Sequence, residues 1–236
     1  MRIGTIDESL GGDGVIADGS IKSVSDLKGK TVASELNIPG RLLLQLELKK
    51  YGMTLKDLNM KEIATADTIS VFADPSVAAV VSYQPYLSQA LKVDAMRHPS
   101  EIISSAQYPG YITDVIIVRA DDLKSNPQKY RNFLIGIYKA IDYYNKDQNG
   151  FIKLAAPHFD LSPADFKASI NGSLIYTGLA QTQGEMGTFG KPGTLYGVFN
   201  TLMGLNLENG AANHKLSAEK AVDNAVISTI SQKDLN

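Results

Sequence analysis

The sequence predicts an α/β fold, and two stretches carry that prediction. Asp26 to Gly52, DLKGKTVASELNIPGRLLLQLELKKYG, reads as turn, short strand, loop and amphipathic helix. Val77 to Tyr83, VAAVVSY, is a continuous apolar run of the kind buried on both faces of a parallel sheet, and Pro85 just beyond it opens a helix. A strand running at once into a helix is the pattern of βα units.

In the first stretch, Lys30 to Ser34 places β-branched residues between a glycine-containing turn and a polar loop, as a short strand should. Asn37 stands as a helix N-cap and Pro39 in the first turn, followed by Leu42, Leu43, Leu46 and Leu48. Gly52 after Tyr51 is a stop, with Lys49 and Lys50 where they favour the helix dipole. Free N–H groups around Ile38, Gly40 and Arg41 at the end of a strand make an anion site, although every βα unit has such an end.

Before this unit, Arg2 to Ile6 reads as a strand, Asp7 to Gly14 as a loop rich in glycine and carboxylate, and Val15 to Ala17 as extended chain. The Gly-Gly-Asp-Gly cluster serves either as a tight turn needing positive φ or as a ligand loop using its backbone with Asp13 or Ser9. It lacks the Gly-Lys-Ser/Thr ending of a P-loop and the ligand spacing of an EF-hand.

After it, Thr54 and Asp57 form a capping-box-like start, Met60 to Ala64 a strand, and Asp67 to Ala73 a short helix broken by Asp74-Pro75. Tyr83-Gln84-Pro85-Tyr86 delivers aromatic and amide groups at a strand end, the edge that faces the ligand crevice in open α/β sheets. Tyr83 and Tyr86 read equally as the rim of a core. Ile102 to Ala106 and Ile112 to Val118 are further strands, with Pro109-Gly110 suited to a crossover. Asp114 interrupts the second of them, where a carboxylate must be paired, hydrated or functional.

From Asn126-Pro127 a helix is expected to about Asn145, with Phe133, Leu134, Ile137, Ile141 and Tyr144 on one stripe. Asn149 to His158 and Ser162 to Gly172 follow as helices, Gly178 to Lys191 as a polar loop, Gly193 to Leu205 and Leu216 to Ile230 as helices. There is no internal repeat.

Composition excludes several classes. Apolar content of 44% and charged content of 20% suit an ordinary globular protein, and a net charge of −2 gives no reason to expect nucleic acid. Without cysteine there is no disulfide framework, thiolate nucleophile or cysteine metal site. No apolar run approaches the length of a membrane span, and MRIGTIDESLGG has no signal-peptide core. His98, His158 and His214 are scattered without metal-ligand spacing, and neither a G-x-S-x-G elbow nor a G-x-G-x-x-G fingerprint is present. The acid pairs Asp7/Glu8 and Asp121/Asp122 read as solvated loops or caps. The residues argue for binding rather than for an enzyme, with no cofactor and no metal.

Asp26-Leu27-Lys28-Gly29-Lys30-Thr31-Val32-Ala33 resembles the "D-L-K-G-K-x-V" signature that opens the second lobe of periplasmic solute-binding proteins. The branch it resembles serves ABC importers of the nitrate, sulfonate and taurine type, also called the thiamine-pyrimidine-precursor-like family. The helix after Asn37-Ile38-Pro39-Gly40, the Val80-to-Tyr86 stretch and Thr113-to-Val118 fall in the family's order, and Ser9-to-Gly14 is similar to its "S-x-G-A-D" crossover. These span roughly residues 5 to 120.

The resemblance implies a periplasmic-binding-protein type II-like α/β fold of two lobes joined by a hinge, closing on a small molecule in an interlobe cleft. Residues 1–20 and 109–236 would form the first lobe and 21–108 the second. Ligand contacts would come from Ser9, Asp13, Pro39, Gly40, Arg41, Tyr83, Gln84 and Asp114. The implied partners are a small-molecule ligand and ABC transporter membrane subunits, and the implied location is periplasmic or otherwise extracytoplasmic. The chain begins where the family is well into its first lobe, so that lobe is expected to be incomplete, with a homodimer as one way to complete it. Ala78 stands where the family often has Asp, and Gln84 where an acid is common. The competing readings are a pyrimidine-precursor-type enzyme, whose cysteine-rich stretch is absent here, and a sensor or assembly subunit on the same fold.

Overall fold

A computed structural model describes residues 1–93, 95–170 and 173–236. Two compact units divide the chain: Met1–Glu8, Thr113–Gly204 and His214–Asn236 form the first, Ser9–Ile112 and Leu205–Asn213 the second. In chain order the first elements are β1 (Arg2–Ser9), β2 (Asp13–Ala17), β3 (Thr31–Ser34), α1 (Pro39–Lys50), β4 (Asn59–Glu62) and α2 (Thr68–Phe72). There follow β5 (Val77–Tyr83), α3 (Tyr86–Ala90), β6 (Ser100–Ser104), β7 (Thr113–Ile117), α4 (Ala120–Ser125), α5 (Pro127–Lys146), α6 (Gln148–Ala155) and α7 (Pro163–Ile170). The chain ends through β8 (Leu174–Tyr176), α8 (Leu179–Met186), β9 (Gly187–Thr188), β10 (Lys191–Pro192), α9 (Thr194–Glu208) and α10 (Ala218–Ala221), with short 3-10 turns between elements.

The second unit is built on a five-stranded sheet ordered β4-β3-β5-β2-β6. β3 runs parallel to β4 and β5, whereas β2 pairs antiparallel with β5 and β6. Alternate β5 side chains enter opposite cores, as the period of a strand requires. Ala79 and Val81 pack with Val15, Val32, Leu43, Leu44 and Leu48 on the α1 side, while Val77 and Val80 pack with Ile16, Phe72 and Leu87 on the other. Both faces are thus covered, which explains the unbroken apolar run.

The first unit holds a three-stranded sheet ordered β7-β1-β8, with β1 and β7 antiparallel, and the small pair β9–β10. Leu134, Tyr138 and Ile141 of α5 pack with Ile3, Ile116, Leu179, Met186 and Ile227. Tyr138 donates its hydroxyl to the Thr5 carbonyl at 3.0 Å. Gly4 permits that approach, because a Cβ there would stand 2.7 Å from the Tyr138 hydroxyl oxygen.

Several expectations are corrected. β2 pairs inside the five-stranded sheet, so residues 9–20 pack with the second unit rather than with residues 1–8. The N-cap of α1 is Ile38, not Asn37, because Pro39 already takes helical geometry. The α5 stripe uses Tyr138 and leaves Phe133 half exposed. Residues 179–186, expected as loop, are the helix α8, anchored by Leu179, Thr182 and Met186. The expected helix over 216–230 shrinks to α10, because Val222 leaves helical geometry to bridge Arg2, and the Asp223 N–H donates to the Arg2 carbonyl at 2.9 Å. The last two positions of the helix expected over 162–172 lie outside the described residues.

Candidate functional site

The second unit's parallel strands β3 and β5 end on one edge of its sheet, and three segments meet there through backbone contacts. The first is the turn between β1 and β2. The Ser9 hydroxyl donates to Asp13 Oδ2 at 2.7 Å and lies 2.9 Å from Ser105 Oγ. Ser105 Oγ also accepts the Gly11 N–H at 2.7 Å and the Asp13 N–H at 3.3 Å. A hydroxyl has one donor and two acceptor sites, so with Ser9 donating to Asp13, Ser105 donates to Ser9 and is fully used. Ser9, Asp13 and Ser105 are all buried, as polar groups can be when so paired.

The second segment is the end of β5. Tyr83 stands opposite Asp13 in the antiparallel register, and the Gln84 N–H donates to the Gly12 carbonyl at 2.8 Å. The Tyr83 ring packs edge-on to Tyr86 at 5.8 Å and is 38% exposed. Gln84 Oε1 accepts the Ser88 hydroxyl at 2.7 Å, and the Gln84–Pro85 peptide is cis.

The third segment is the start of α1. Ile38 is extended and no side chain caps the helix; Pro39 at the first position has no N–H and the Arg41 N–H donates to the Ile38 carbonyl at 3.1 Å, so the Gly40 N–H is the first-turn donor left without a side-chain cap. Gly40 is wedged against the sheet: an added Cβ would lie 3.0 Å from Val81 Cγ1, 3.3 Å from the Ser82 carbonyl and 3.4 Å from that of Gly14. A recess of about 330 Å³ opens here, lined by Asn37, Ile38, Pro39, Arg41, Asn206 and Asn209 among others.

The structure therefore brings Ser9, Asp13, Pro39, Gly40, Tyr83 and Gln84 onto one edge of the second unit. Arg41 lines the recess beside this group, but its buried side chain is paired away from it, its Nη1 donating to Glu62 Oε1 at 2.7 Å. Asp114 belongs to the first unit, where it faces Asp7 across β7 and β1. Asp114 is exposed and Asp7 is buried. Burial first, and the Asp114 charge second, push the Asp7 carboxyl up to about 6. Burial and Asp7 in turn push the Tyr176 hydroxyl above its ordinary value.

Sequence reasoning missed Ser105, which lies 92 to 96 positions from its partners. It also missed a hydroxyl chain at the same edge. Glu35 Oε2 accepts the Thr65 N–H at 3.1 Å, the Thr68 hydroxyl donates to the Thr65 carbonyl at 2.7 Å, and Thr68 Oγ1 lies 3.1 Å from Ser82 Oγ. Thr65 directly after the predicted 60–64 strand, and Ser82 and Ser105 next to the last residues of the predicted 77–83 and 102–106 strands, were the available signal. Among the described residues no group of three or more His, Cys, Asp or Glu is placed to hold a metal. None of the described helices is long and apolar enough to cross a membrane.

The family model described as NMT1/THI5 like matches residues 2–150. A Brucella abortus (strain 2308) protein, named only as a candidate binding protein, is 24% identical over 160 residues, which are 66% of this chain and 49% of that protein. The chain thus spans about half the length of the curated relatives it matches. The periplasmic aliphatic sulphonate-binding protein SsuA of Escherichia coli superposes with a TM-score of 0.70 at 16% identity, over 95% of this chain and 69% of that one. The desulfurization enzyme DszB superposes with a TM-score of 0.57 at 13% identity, over 96% of this chain and 77% of that one. At such identities the likeness is one of fold, the two-lobed α/β fold of periplasmic binding proteins.

Proposed function

The chain belongs to the NMT1/THI5-like family, and on that premise we propose that it is the solute-binding component of an ABC importer, acting outside the cytoplasm with membrane subunits as partners. Its solute is a small organic or anionic molecule of the sulfonate, nitrate or pyrimidine type. The observation that carries this reading is the meeting of the Ser9–Asp13 turn, the α1 start and Tyr83–Gln84 on one sheet edge. Ligands of open α/β sheets sit beyond the carboxyl ends of the strands.

The chemistry of this edge supports a division of labour. The uncapped start of α1 suits an anionic head, because the Gly40 N–H and the helix dipole both favour negative charge. Asp13 suits an N–H donor on the same solute, and Tyr83 supplies an aromatic wall. A sulfonate that also carries an amine meets all three. Since DszB shares the fold, fold alone does not separate binding from catalysis.

Titration calorimetry of the chain with taurine, ethanesulfonate, nitrate and 4-amino-5-hydroxymethyl-2-methylpyrimidine tests the reading. One of them is expected to bind, and Tyr83→Ala to weaken it about tenfold or more while the fold persists. No binding by any of them, or equal binding by the variant, would overturn it. Turnover of the bound solute would make the protein an enzyme instead.

A further inference from the structure

Along its flank, α1 borders a second cavity of about 360 Å³ in the second unit, bounded by Arg41, Gln45, Met53, Leu55, Glu208 and Asn209 with Lys49 and Lys56 at its sides. We propose that this cavity binds a small organic monocarboxylate. Its carboxylate lies on the Nε/Nη2 edge of Arg41 and its apolar body rests against Met53 and Leu55. This cavity shares Arg41 and Asn209 with the recess at the start of α1 and extends from there along the helix flank, away from Tyr83 and Asp13.

The argument starts from Arg41. Its side chain is 7% exposed, and Nη1 is committed to Glu62. Its Nε–H is buried and meets no acceptor. A buried donor left unmatched bears its full desolvation cost, and a cationic donor more so. A guanidinium presents its N–H groups as forks matched to a carboxylate, and the edge that includes Nε is the one Glu62 leaves open.

Its polar neighbours do not fill that need. Asn209 Nδ2 donates to Gln45 Oε1 at 3.0 Å, and Gln45 Nε2 donates to the Leu205 carbonyl at 3.3 Å, so these two amides are engaged with each other and with backbone. Glu208 is held by Lys49 at 2.7 Å. Counting Arg41, Lys49 and Lys56 against Glu62 and Glu208 leaves one positive charge beside the cavity, which a monoanion balances. The buried thioether of Met53 and the Leu55 side chain add apolar surface that an inorganic ion would not use.

Benzoate is a suitable probe, since its ring and carboxylate match the two halves of the cavity. The full chain, labelled at methionine methyl carbons, is titrated with benzoate and separately with sodium sulfate, the Met53 signal being assigned through Met53→Leu. A saturable shift of the Met53 methyl with benzoate and none with sulfate is expected. Arg41→Lys keeps a cation for Glu62 but lacks the planar fork, and should weaken benzoate about tenfold. Leu55→Trp fills the cavity and should abolish the Met53 response while leaving the Tyr83-dependent solute binding unchanged. The proposal falls if benzoate leaves Met53 unmoved, if sulfate acts equally, or if Arg41→Lys and Leu55→Trp bind benzoate as the parent does. Benzoate binding that Tyr83→Ala abolishes would place benzoate in the strand-end site and equally overturn it.

Discussion

Asp7 and Asp114 face each other across two antiparallel strands, and of the pair only Asp114 is exposed to water. Burial, then the Asp114 charge, raises the Asp7 carboxyl from its ordinary 3.8 to about 6. The folded chain therefore holds this proton over a pH range in which the unfolded chain has already lost it. Stability due to Asp7 is fully present below about pH 4, falls as pH rises toward about 6, and stays flat above that. Asp7→Asn removes the penalty of the buried charge. The full shift would correspond to about 3 kcal/mol, and partial contact with water reduces this to about 1–2 kcal/mol. Urea unfolding should show the variant more stable than the parent by that amount at pH 7.5 and equal to it near pH 3.5. Asp114→Asn should lower the Asp7 midpoint in a carbon-13 carboxyl titration, because the second cause of the shift is then gone.

At the scale of elements, α1 meets the sheet through Gly40, and two opposing terms decide what a methyl group does there. Alanine favours a helix over glycine by about 1 kcal/mol, whereas overpacking against Val81 and the Ser82 carbonyl costs about 1–3 kcal/mol. Gly40→Ala should thus lose up to about 2 kcal/mol in denaturant unfolding and weaken binding at the proposed strand-end site, because it shifts the helix start that borders that site. A variant more stable than the parent would mean that α1 moves outward freely. Much of this element was legible: the glycine-containing turn, the β-branched strand, the proline in the first turn and Gly52 at the end all act within a few residues of one another. The partners of Ser105 were not, since they lie almost a hundred residues away and only the β2–β6 pairing brings them close. The same cause explains the two misread helices. α8 has a polar sequence held by three buried anchors, and the 216–230 segment, helical by local preference, gives up its hydrogen bonds to β1.

For the whole molecule, the decisive feature is that the two units have separate cores, one around Leu43, Val32 and Val81, the other around Ile3, Leu134 and Tyr138. The fold class was legible because each sheet region has its own local periodicity. The path of the chain between units was not, because the Leu205–Asn213 segment joins the second unit through contacts such as Gln45 to Leu205 that no periodicity encodes. A solute held at the strand ends of the second unit should stabilise the core it touches. At a free concentration a hundred times Kd, mass action contributes about 2.7 kcal/mol, which slows amide exchange through global opening about a hundredfold. Hydrogen exchange with the tightest-binding solute should therefore slow the amides of Val15, Val32 and Val81 by about that factor. The amides of Ile3 and Leu134 should slow far less. Equal slowing in both sets would mean that the binding free energy reaches both cores, and that the first unit opens only together with the second. Slowing confined to Ile3 and Leu134 would remove the strand-end site from the second unit altogether.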